Sequence, residues 1–489
     1  MEKGICIMKM KRMLSAALAA ALLTACSGCS SDEKNNDRGL NKNSPVTVTV
    51  WHYYNGVQQT GFDEMVREFN DTVGMEKGII VQAFSKNSIN ELADSVMASL
   101  NKEPGADETP DIFGCYADNA FTVDQMGMLA DISQYFTEEE LSEYVDNYIQ
   151  EGRFDGNTLK IFPTAKSTEI MMVNSTDWEK FAGAEGVSYD DLKTWESLVE
   201  VSEKYYNYTD ALTPDVPNDG KPFFGRDSVE NYMLIGAKQL GKPLISEDGE
   251  TVPSVDKETV KRLWENYYVP FVKGYFAAEG RFRSDDVKIG KVIAMVCSTT
   301  GAAYYPNEVT LSDDTVYPIE NVVLSLPNFE NTEAYAVQQG AGMSVIKSDE
   351  KTEYACTVFL KWFAETERNI GFAVDSGYLP VKKSANSQEQ LDNIIAQEEH
   401  SISSTMRNTL VTAMDEVNNY ELYAAKPFAK SAAFRSALKN YMETTAKDDY
   451  TAAADRIAAG ESREDVLAEY VSSETFDKWF EGLENALNV

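Results

Sequence analysis

Residues 46–51 read VTVTVW, residues 79–84 read IIVQAF, and residues 111–113 read DIF. Their β-branched and aromatic side chains are typical of strands. Apolar side chains recur between these stretches at the three- and four-residue spacing of a helix face: Phe62, Met65, Val66 and Phe69, then Ile89, Leu92, Ala93, Val96, Met97 and Leu100. The order strand, helix, strand, helix, strand predicts an α/β fold with a parallel sheet covered by helices.

The loops that follow these strands indicate where a ligand would bind. In an open parallel sheet, ligands bind beyond the carboxyl ends of the strands. The loops there are residues 51–56 (WHYYNG), 85–88 (SKNS) and 116–119 (YADN). Aromatic rings pack against the C–H faces of a sugar, and amides and carboxylates bind its hydroxyls. These loops therefore favour a neutral polyol as ligand.

A second body is predicted downstream. Residues 164–174 (TAKSTEIMMVN) fit a strand that crosses into it, and further strands are predicted at 291–297 and 343–346. We therefore expect two lobes built from discontinuous segments. The expected boundaries are 45–162 with about 298–348 for the first lobe, and 163–297 with about 349–489 for the second.

The charge balance excludes one class of partner. The 489 residues include 44 basic and 79 acidic side chains, which gives a formal charge of −35. Such a chain repels polyphosphates and anionic lipid surfaces. No nucleic-acid partner is expected.

The N-terminus is typical of an export signal. Basic residues at positions 3, 9, 11 and 12 precede an apolar run of 13 residues, 13–25, which is shorter than the roughly 20 that span a bilayer. The tetrapeptide 23–26 (LTAC) resembles the bacterial lipobox, which implies cleavage before Cys26 and lipid attachment to its sulfur. A plain secretory signal and lipidation at Cys29 are the alternatives. Residues 26–44 are polar and predict a flexible tether.

Catalytic patterns are sparse. The chain has two histidines, His52 and His400, and it lacks both a G-x-S-x-G elbow and an H-E-x-x-H pair. No metal or cofactor site is predicted. A carboxylate pair suited to a glycosidase remains open, because any two of 79 acids could form it. Cys115, Cys297 and Cys356 fit buried apolar residues, and a disulfide among them also remains open.

A set of short motifs occurs in a characteristic order along the chain. After the lipobox come 51–52 (WH), 110–113 (PDIF), 116–119 (YADN), 162–163 (FP), 167–169 (STE), 194–195 (TW), 225–228 (GRDS), 290–291 (GK), 294–295 (AM), 359–362 (FLKW) and 377–381 (GYLPV). Together they resemble the family 1 extracellular solute-binding proteins of ABC importers over nearly all of residues 46–440.

This resemblance implies a two-lobed, doubly wound α/β fold that closes on its ligand by a hinge. It implies cargo that is a mono- or oligosaccharide, or glycerol 3-phosphate in one branch, which is handed to a membrane permease. Lys166-Ser167 stands where the phosphate branch tends to have two serines, which makes that ligand less favoured.

The resemblance also implies a set of ligand contacts. In the first lobe these are Trp51, His52, Tyr53, Asn87, Tyr116 and Asp118. In the second lobe and hinge they are Ser167, Thr168, Asp227, Ser298, Gly340 and Tyr378, with Arg435 in a late loop. We expect a monomeric, lipid-anchored, extracytoplasmic sugar receptor without catalytic residues or cofactor. A surface glycoside hydrolase and an adhesive or structural lipoprotein are the alternatives.

Overall fold

The structure is a computed structural model that describes residues 37–246, 255–397, 402–428 and 430–488. The predicted signal peptide, Cys26, Cys29, His400 and most of the tether lie outside the described residues. Within the part that is described, every helix is too short or too polar to cross a lipid bilayer.

The described chain contains twelve strands. In chain order they are β1 Val46–His52, β2 Ile79–Ser85, β3 Ile112–Cys115, β4 Glu169–Asn174, β5 Phe224–Arg226, β6 Ala294–Ser298, β7 Glu308–Thr310, β8 Val316–Pro318, β9 Asn321–Leu324, β10 Tyr335–Val337, β11 Gly342–Val345 and β12 Glu421–Tyr423.

The helices make up most of the remaining chain. In order they are α1 Gly56–Phe69, α2 Met75–Lys77, α3 Ile89–Leu100, α4 Ala117–Gln125, α5 Glu138–Ser142, α6 Asp146–Glu151, α7 Ser175–Glu185, α8 Trp195–Ala211, α9 Val229–Gln239, α10 Lys257–Val272, α11 Arg283–Lys288, α12 Glu350–Phe363, α13 Thr366–Ser376, α14 Gln388–Gln397, α15 Ser404–Asn419, α16 Ser431–Ala458, α17 Arg463–Tyr470 and α18 Ser473–Ala486. A π-helical turn, Asn70–Gly74, joins α1 to α2, and short 3₁₀ helices span Ile132–Tyr135, Tyr189–Leu192, Thr299–Tyr304 and Lys383–Ala385.

The first lobe contains a sheet in the order β11-β3-β1-β2. β1 is parallel to β2 and β3, which confirms the predicted parallel sheet, and β11 joins it antiparallel. Val48 and Val50 of β1 pack in one apolar cluster with Phe62 of α1. Trp51 packs in a second cluster with Leu92 of α3. Successive strand residues thus face opposite sides of a sheet that helices cover on both faces.

The second lobe contains a sheet in the order β5-β6-β4-β9. β4 is antiparallel to both neighbours, and β5 is parallel to β6. All six residues of β4 are buried. Met171 and Val173 face one apolar cluster, whereas Ile170 and Met172 face another. The C-terminal helices α16 to α18 pack in the first of these clusters, together with α10.

The sheets place two segments differently from the expected lobe boundaries. β9 pairs with β4, so residues 299–324 belong to the second lobe rather than the first. Phe359, Phe363 and Phe372 pack in the core beneath the first sheet, so α12 and α13 belong to the first lobe rather than the second. An apolar helix face shows that a helix is packed, but it does not show which sheet it covers.

Three chain segments cross between the lobes and hydrogen-bond to one another. The Lys166 amide donates to the Leu379 carbonyl at 3.0 Å, and the Ser167 amide donates to the Gln339 carbonyl at 2.8 Å. The Gln339 amide donates back to the Ser167 carbonyl at 3.0 Å. These backbone pairs form a hinge, defined here as residues 166–168, 338–340 and 378–379.

Gly340 lies where the hinge segments approach most closely. Its φ is +91°, and a Cβ there would lie 3.0 Å from the carbonyl oxygen of Ala165 and 3.0 Å from the Cα of Lys166. Gly105 has a similar φ of +88°, but no atom lies within 4 Å of its Cβ position. The two glycines therefore share a backbone conformation and differ in available space.

We predict that Gly340→Ala lowers the free energy of unfolding by at least about 1 kcal/mol more than Gly105→Ala does. Both variants carry the left-handed backbone cost of about 1–2 kcal/mol, and only Gly340→Ala adds the hinge clash. Denaturant unfolding of both variants measures the difference. Equal losses would show that the hinge accommodates the added methyl group.

Candidate functional site

A cavity of about 340 Å³ lies between the two lobes. This volume is at the lower end of the roughly 300–1,000 Å³ range of small-molecule sites. The first lobe contributes the start of α4 and the end of α6, and the second lobe contributes the starts of α9 and α16. The remaining walls are the hinge segment 337–339 and the segment 423–427. The polar lining residues are Asp118, Glu151, Ser228, Glu230, Asn231, Gln338, Gln339, Lys426, Ser431 and Arg435.

A chain of hydrogen bonds supports the second-lobe wall. Arg435 Nη2 donates to Asn231 Oδ1 at 2.7 Å, and Asn231 Nδ2 donates to Glu169 Oε1 at 2.8 Å. Glu169 also forms an ion pair with Arg226, and both side chains are almost fully buried. This chain fixes which way the Asn231 amide faces and holds the Arg435 guanidinium at the cavity.

A second buried ion pair supports the hinge wall. The Lys166 ammonium pairs with the Glu151 carboxylate and donates to the Gly340 carbonyl at 2.9 Å. Gln338 Nε2 donates to Glu151 Oε2 at 2.8 Å. Because the nitrogen of the Gln338 amide is bound to Glu151, its oxygen remains to accept another hydrogen bond.

Two residues that line the cavity, Gln338 and Glu230, each have a buried side-chain oxygen without a hydrogen-bond partner in the described part of the chain. These oxygens are Gln338 Oε1 and Glu230 Oε2. The nearest cation to the Glu230 carboxylate is Arg435, with Nη2 3.9 Å from Oε1. A buried acceptor without a partner is unfavourable by about 1–3 kcal/mol, so the site is suited to a ligand or water that donates hydrogen bonds.

Three of the predicted contact residues line the cavity. Tyr116 precedes α4, Asp118 lies in its first turn, and Arg435 lies in the first turns of α16. The Tyr116 side chain is 40% exposed, which leaves its ring available at the cavity wall.

Four further predicted residues, Ser167, Thr168, Gly340 and Tyr378, belong to the hinge. Ser167 and Gly340 contribute backbone contacts there. The Thr168 hydroxyl is buried and lies 3.2 Å from a carboxylate oxygen of Glu416. Burial raises the pKa of Glu416 to about 8, so this carboxyl group holds its proton at neutral pH.

Tyr53 and Tyr378 meet each other beside the hinge. Their hydroxyl oxygens are 2.8 Å apart, and burial raises the pKa of both phenols. Tyr378 also stacks on Phe372, with 6.3 Å between the ring centroids. Neither tyrosine is among the residues that line the cavity.

The structure places Trp51 and His52 in the core rather than at the cavity. Trp51 is 3% exposed, and the Lys86 ammonium lies 3.9 Å from its ring centroid. His52 is 1% exposed, and its ring packs on Phe62 at a centroid distance of 4.8 Å. Both residues are at the end of a strand whose two faces are covered by helices, so neither side chain faces solvent.

Asn87, Asp227 and Ser298 also lie away from the cavity lining. Asn87 is an exposed turn residue with φ +65°. Asp227 accepts a hydrogen bond from the Arg283 amide at 2.8 Å. Ser298 Oγ accepts from the Gly301 amide at 3.1 Å and caps a 3₁₀ helix. The polar side chains of Asp227 and Ser298 thus have local structural roles.

Sequence reasoning missed several residues of the cavity. Glu230 and Asn231 begin a helix after β5, the same arrangement that pointed to Tyr116 after β3. Gln338 and its neighbour directly precede the hinge glycine. The segment 423–427 has no periodic pattern and gave no signal.

The three body cysteines are buried free thiols, and in the described ranges no cluster of three His, Cys, Asp or Glu side chains could hold a metal ion.

Comparison with known families agrees with this geometry. A family model described as bacterial extracellular solute-binding protein matches residues 64–399. The chain belongs to this family. Membership indicates an extracytoplasmic location. The members of this family are solute-binding proteins rather than enzymes.

Solved structures share its two-lobed fold. The cyclic α-maltosyl-1,6-maltose binding protein from Arthrobacter globiformis matches with a TM-score of 0.64 at 18% identity, over 91% of this chain and 98% of that one. UgpB from Mycobacterium tuberculosis, in complex with glycerophosphocholine, matches with a TM-score of 0.63 at 17% identity, over 91% and 99%. Lmo0181 from Listeria monocytogenes, in complex with cycloalternan, matches with a TM-score of 0.59 at 15% identity, over 91% and 99%. Among curated protein sequences, none matches this chain.

We predict that His52 makes the solute-binding protein less stable in acid. Burial lowers the pKa of His52 from 6.5 to about 4, so the folded state binds fewer protons than the unfolded state between these values. The stability that the neutral ring contributes is present above pH 6.5 and is lost as the pH falls toward 4. His52→Phe removes this titration and the two ring nitrogens that lack partners among the described residues.

Denaturant unfolding between pH 4.5 and 7.5 tests this prediction. Relative to His52→Phe, the free energy of unfolding of the parent protein should fall by up to about 1.4 kcal/mol per pH unit below pH 6.5. A constant difference between parent and His52→Phe over this range would contradict the assignment.

Proposed function

We propose that this protein is the receptor of an ABC importer and captures a carbohydrate in the interlobe cavity. The observation that carries the proposal is the pair of buried, unpartnered oxygens, Gln338 Oε1 and Glu230 Oε2, on two residues that line the cavity. Sugar hydroxyls donate hydrogen bonds to such oxygens and remove the penalty of leaving them unpaired.

The rest of the lining suits a sugar ring. Leu234, Ile235 and Val337 provide apolar surface, and Tyr116 and Tyr423 provide aromatic rings. Sugars have C–H faces that pack on such surfaces while their hydroxyls bind polar groups at the edge. Several proteins of the same fold are described by the sugars they bind, including cyclic α-maltosyl-1,6-maltose and cycloalternan.

Glycerol 3-phosphate and related phosphates are the alternative cargo. UgpB, a protein of the same fold, is in complex with glycerophosphocholine. The cavity lining here contains three carboxylates, Asp118, Glu151 and Glu230, and two cations, Lys426 and Arg435. Glu151 is paired with Lys166, so the other charged lining residues are two carboxylates and two cations. A phosphate dianion has no hydrogen to donate to Gln338 Oε1 and Glu230 Oε2, whereas sugar hydroxyls have.

The proposed mechanism is capture by lobe closure. The sugar binds between the lobes, the hinge closes them, and the closed form delivers the sugar to the permease. No residue is assigned a catalytic role, and no cofactor is required. The protein is proposed to act as a monomer.

The proposal includes a lipid anchor. Residues 1–25 are proposed to form a signal peptide, Cys26 to carry the lipid, and residues 26–44 to tether the two lobes to the membrane surface.

Labelling with palmitate in a bacterial host tests the anchor. We expect Cys26→Ser to lose the label and to leave the membrane fraction, because the sulfur that carries the lipid is gone. Cys29→Ser is the matched control and should keep both. Retention of label by Cys26→Ser would contradict the assignment.

A ligand screen tests the proposed function. Monosaccharides, oligosaccharides, sugar alcohols, glycerol 3-phosphate and glycerophosphocholine should be compared by thermal shift, followed by calorimetric titration. We expect a saccharide to bind, and Glu230→Gln to weaken it about tenfold, about 1.4 kcal/mol, because a donor group replaces an unpaired acceptor. Glu258→Gln is the matched control, since Glu258 is an exposed residue in the first turn of α10.

The screen also separates the alternatives. A thermal shift with phosphates alone would favour the phosphate branch, and recovery of shortened oligosaccharides after incubation would indicate a glycoside hydrolase. If no compound in the panel binds, the proposal of a carbohydrate receptor is wrong.

A further inference from the structure

The strand β2 forms one edge of the first-lobe sheet. It ends the order β11-β3-β1-β2, so it pairs with β1 on one side and with no described strand on the other. Its seven residues, Ile79–Ser85, read IIVQAFS and include no charged side chain. An unpaired edge presents a row of backbone N–H and C=O groups to which a strand of another molecule can add.

The backbone of Val81 faces this outer edge. The Val46 amide of β1 donates to the Gly78 carbonyl at 2.9 Å. The Lys86 amide donates to the His52 carbonyl of β1 at 2.7 Å. Along a strand, the backbone groups of successive residues point to opposite sides. The even-numbered residues from 78 to 86 therefore face β1, and the odd-numbered residues between them face away from it.

One side chain closes the edge at Val81. Asn70 begins the π-helical turn that follows α1. Its Nδ2 donates to the Val81 carbonyl at 2.9 Å, and its Oδ1 accepts from the Val81 amide at 2.8 Å. A neighbouring strand would bind the same two backbone groups. The Asn70 amide therefore takes the place of a partner strand near the middle of β2.

The exposed side chains of β2 fit a second copy of the same strand. Ile80 is 42% exposed and Phe84 is 50% exposed, and both lie on one face because they are four residues apart. If two copies of β2 pair antiparallel about Gln82, Ile80 of each copy lies opposite Phe84 of the other. Such apolar cross-strand pairs stabilise a sheet. The same register places Val81 opposite Ala83, so it needs the backbone groups that Asn70 binds.

The charge distribution also favours β2 as the place where two copies meet. The formal charge of the chain is −35, so its surface as a whole repels another copy. Before β2, Lys77 is ion-paired with Asp37. After β2, Lys86 is ion-paired with Asp107. The edge is therefore an uncharged stretch between two compensated lysines on an acidic protein.

We propose that the outer edge of β2 is a latent self-association surface that fits β2 of a second copy of this chain, and that Asn70 keeps it closed. The two strands pair antiparallel in the register centred on Gln82, which joins two four-stranded sheets into one. The interface is isologous, because each copy contributes the same residues. This inference does not depend on the identity of the ligand.

Sedimentation velocity of the parent and Asn70→Ala over a range of concentrations tests the inference. We expect Asn70→Ala to dimerise at concentrations about tenfold below any at which the parent does, because its Val81 backbone groups are free to pair. Asn90→Ala, on the exposed surface of α3, is the control and should behave as the parent does. Circular dichroism shows whether each variant is folded. Asn70→Ser, whose side chain is too short to bind both groups, serves if the Ala variant does not fold.

Two further changes show where the copies meet. Adding Gln82→Lys to Asn70→Ala should restore the monomer, because the two ammonium groups would lie opposite each other. Adding Gln82→Cys instead should give a disulfide-linked dimer under mild oxidation, since directly opposite residues of an antiparallel pair are close enough for that bond. Asn70→Ala alone gives the background from the other thiols.

Three outcomes would overturn the proposal. Equal association of the parent and a folded Asn70 variant would show that Asn70 does not close the edge. Association of Asn70→Ala that persists with Gln82→Lys and gives no Gln82→Cys disulfide would show that the copies meet elsewhere. A parent that already dimerises through β2 would show that the edge is open.

Discussion

The buried Lys166 ammonium is the interaction on which the site depends. This side chain is 2% exposed, pairs with Glu151 of the first lobe, and donates to the carbonyl of Gly340 in the second crossing segment. Its own backbone pairs with Leu379 in the third crossing segment. One residue therefore joins all three crossings to the first lobe. Removing one partner of a buried ion pair is unfavourable by about 3–5 kcal/mol, so the arrangement of the crossings is strongly specified.

Two buried ion pairs, Lys166–Glu151 and Arg226–Glu169, orient the polar side chains that line the cavity. On the hinge side, an ion pair binds the nitrogen of the Gln338 amide and leaves the oxygen at the cavity. On the second-lobe side, another pair binds the nitrogen of Asn231, and the oxygen of that amide holds Arg435. An amide that is free to turn could present either group. Here the buried charges fix the choice, so Gln338 keeps an unpartnered acceptor and the guanidinium of Arg435 is held in place.

The order of elements in the first lobe could be predicted from sequence because helix and strand periods differ and each element is long enough to show its period. The directions of the side chains at the strand ends could not be predicted. Helices cover both faces of the sheet, and the alternation of residues along a strand does not indicate which side chains border the cleft. The family resemblance placed Trp51 and His52 at the ligand, but both lie in the core. Glu230 and Asn231 were missed because β5 has three residues, too few to reveal a strand whose carboxyl end marks a site.

The family model matches this chain up to residue 399, but residues after that position also line the cavity. Residues 423–427, Ser431 and Arg435 supply seven of the twenty residues that line the interlobe cavity. The matched part therefore provides the sheets, the hinge and one set of walls. The remaining wall comes from a segment about 300 residues away in sequence from Tyr116. The packing of α15 and α16 and the pairing of β12 with β10 bring it to the cleft. Membership of the family thus accounts for the two-lobed capture of a solute, whereas the identity of that solute depends on lining residues both within and beyond the matched part.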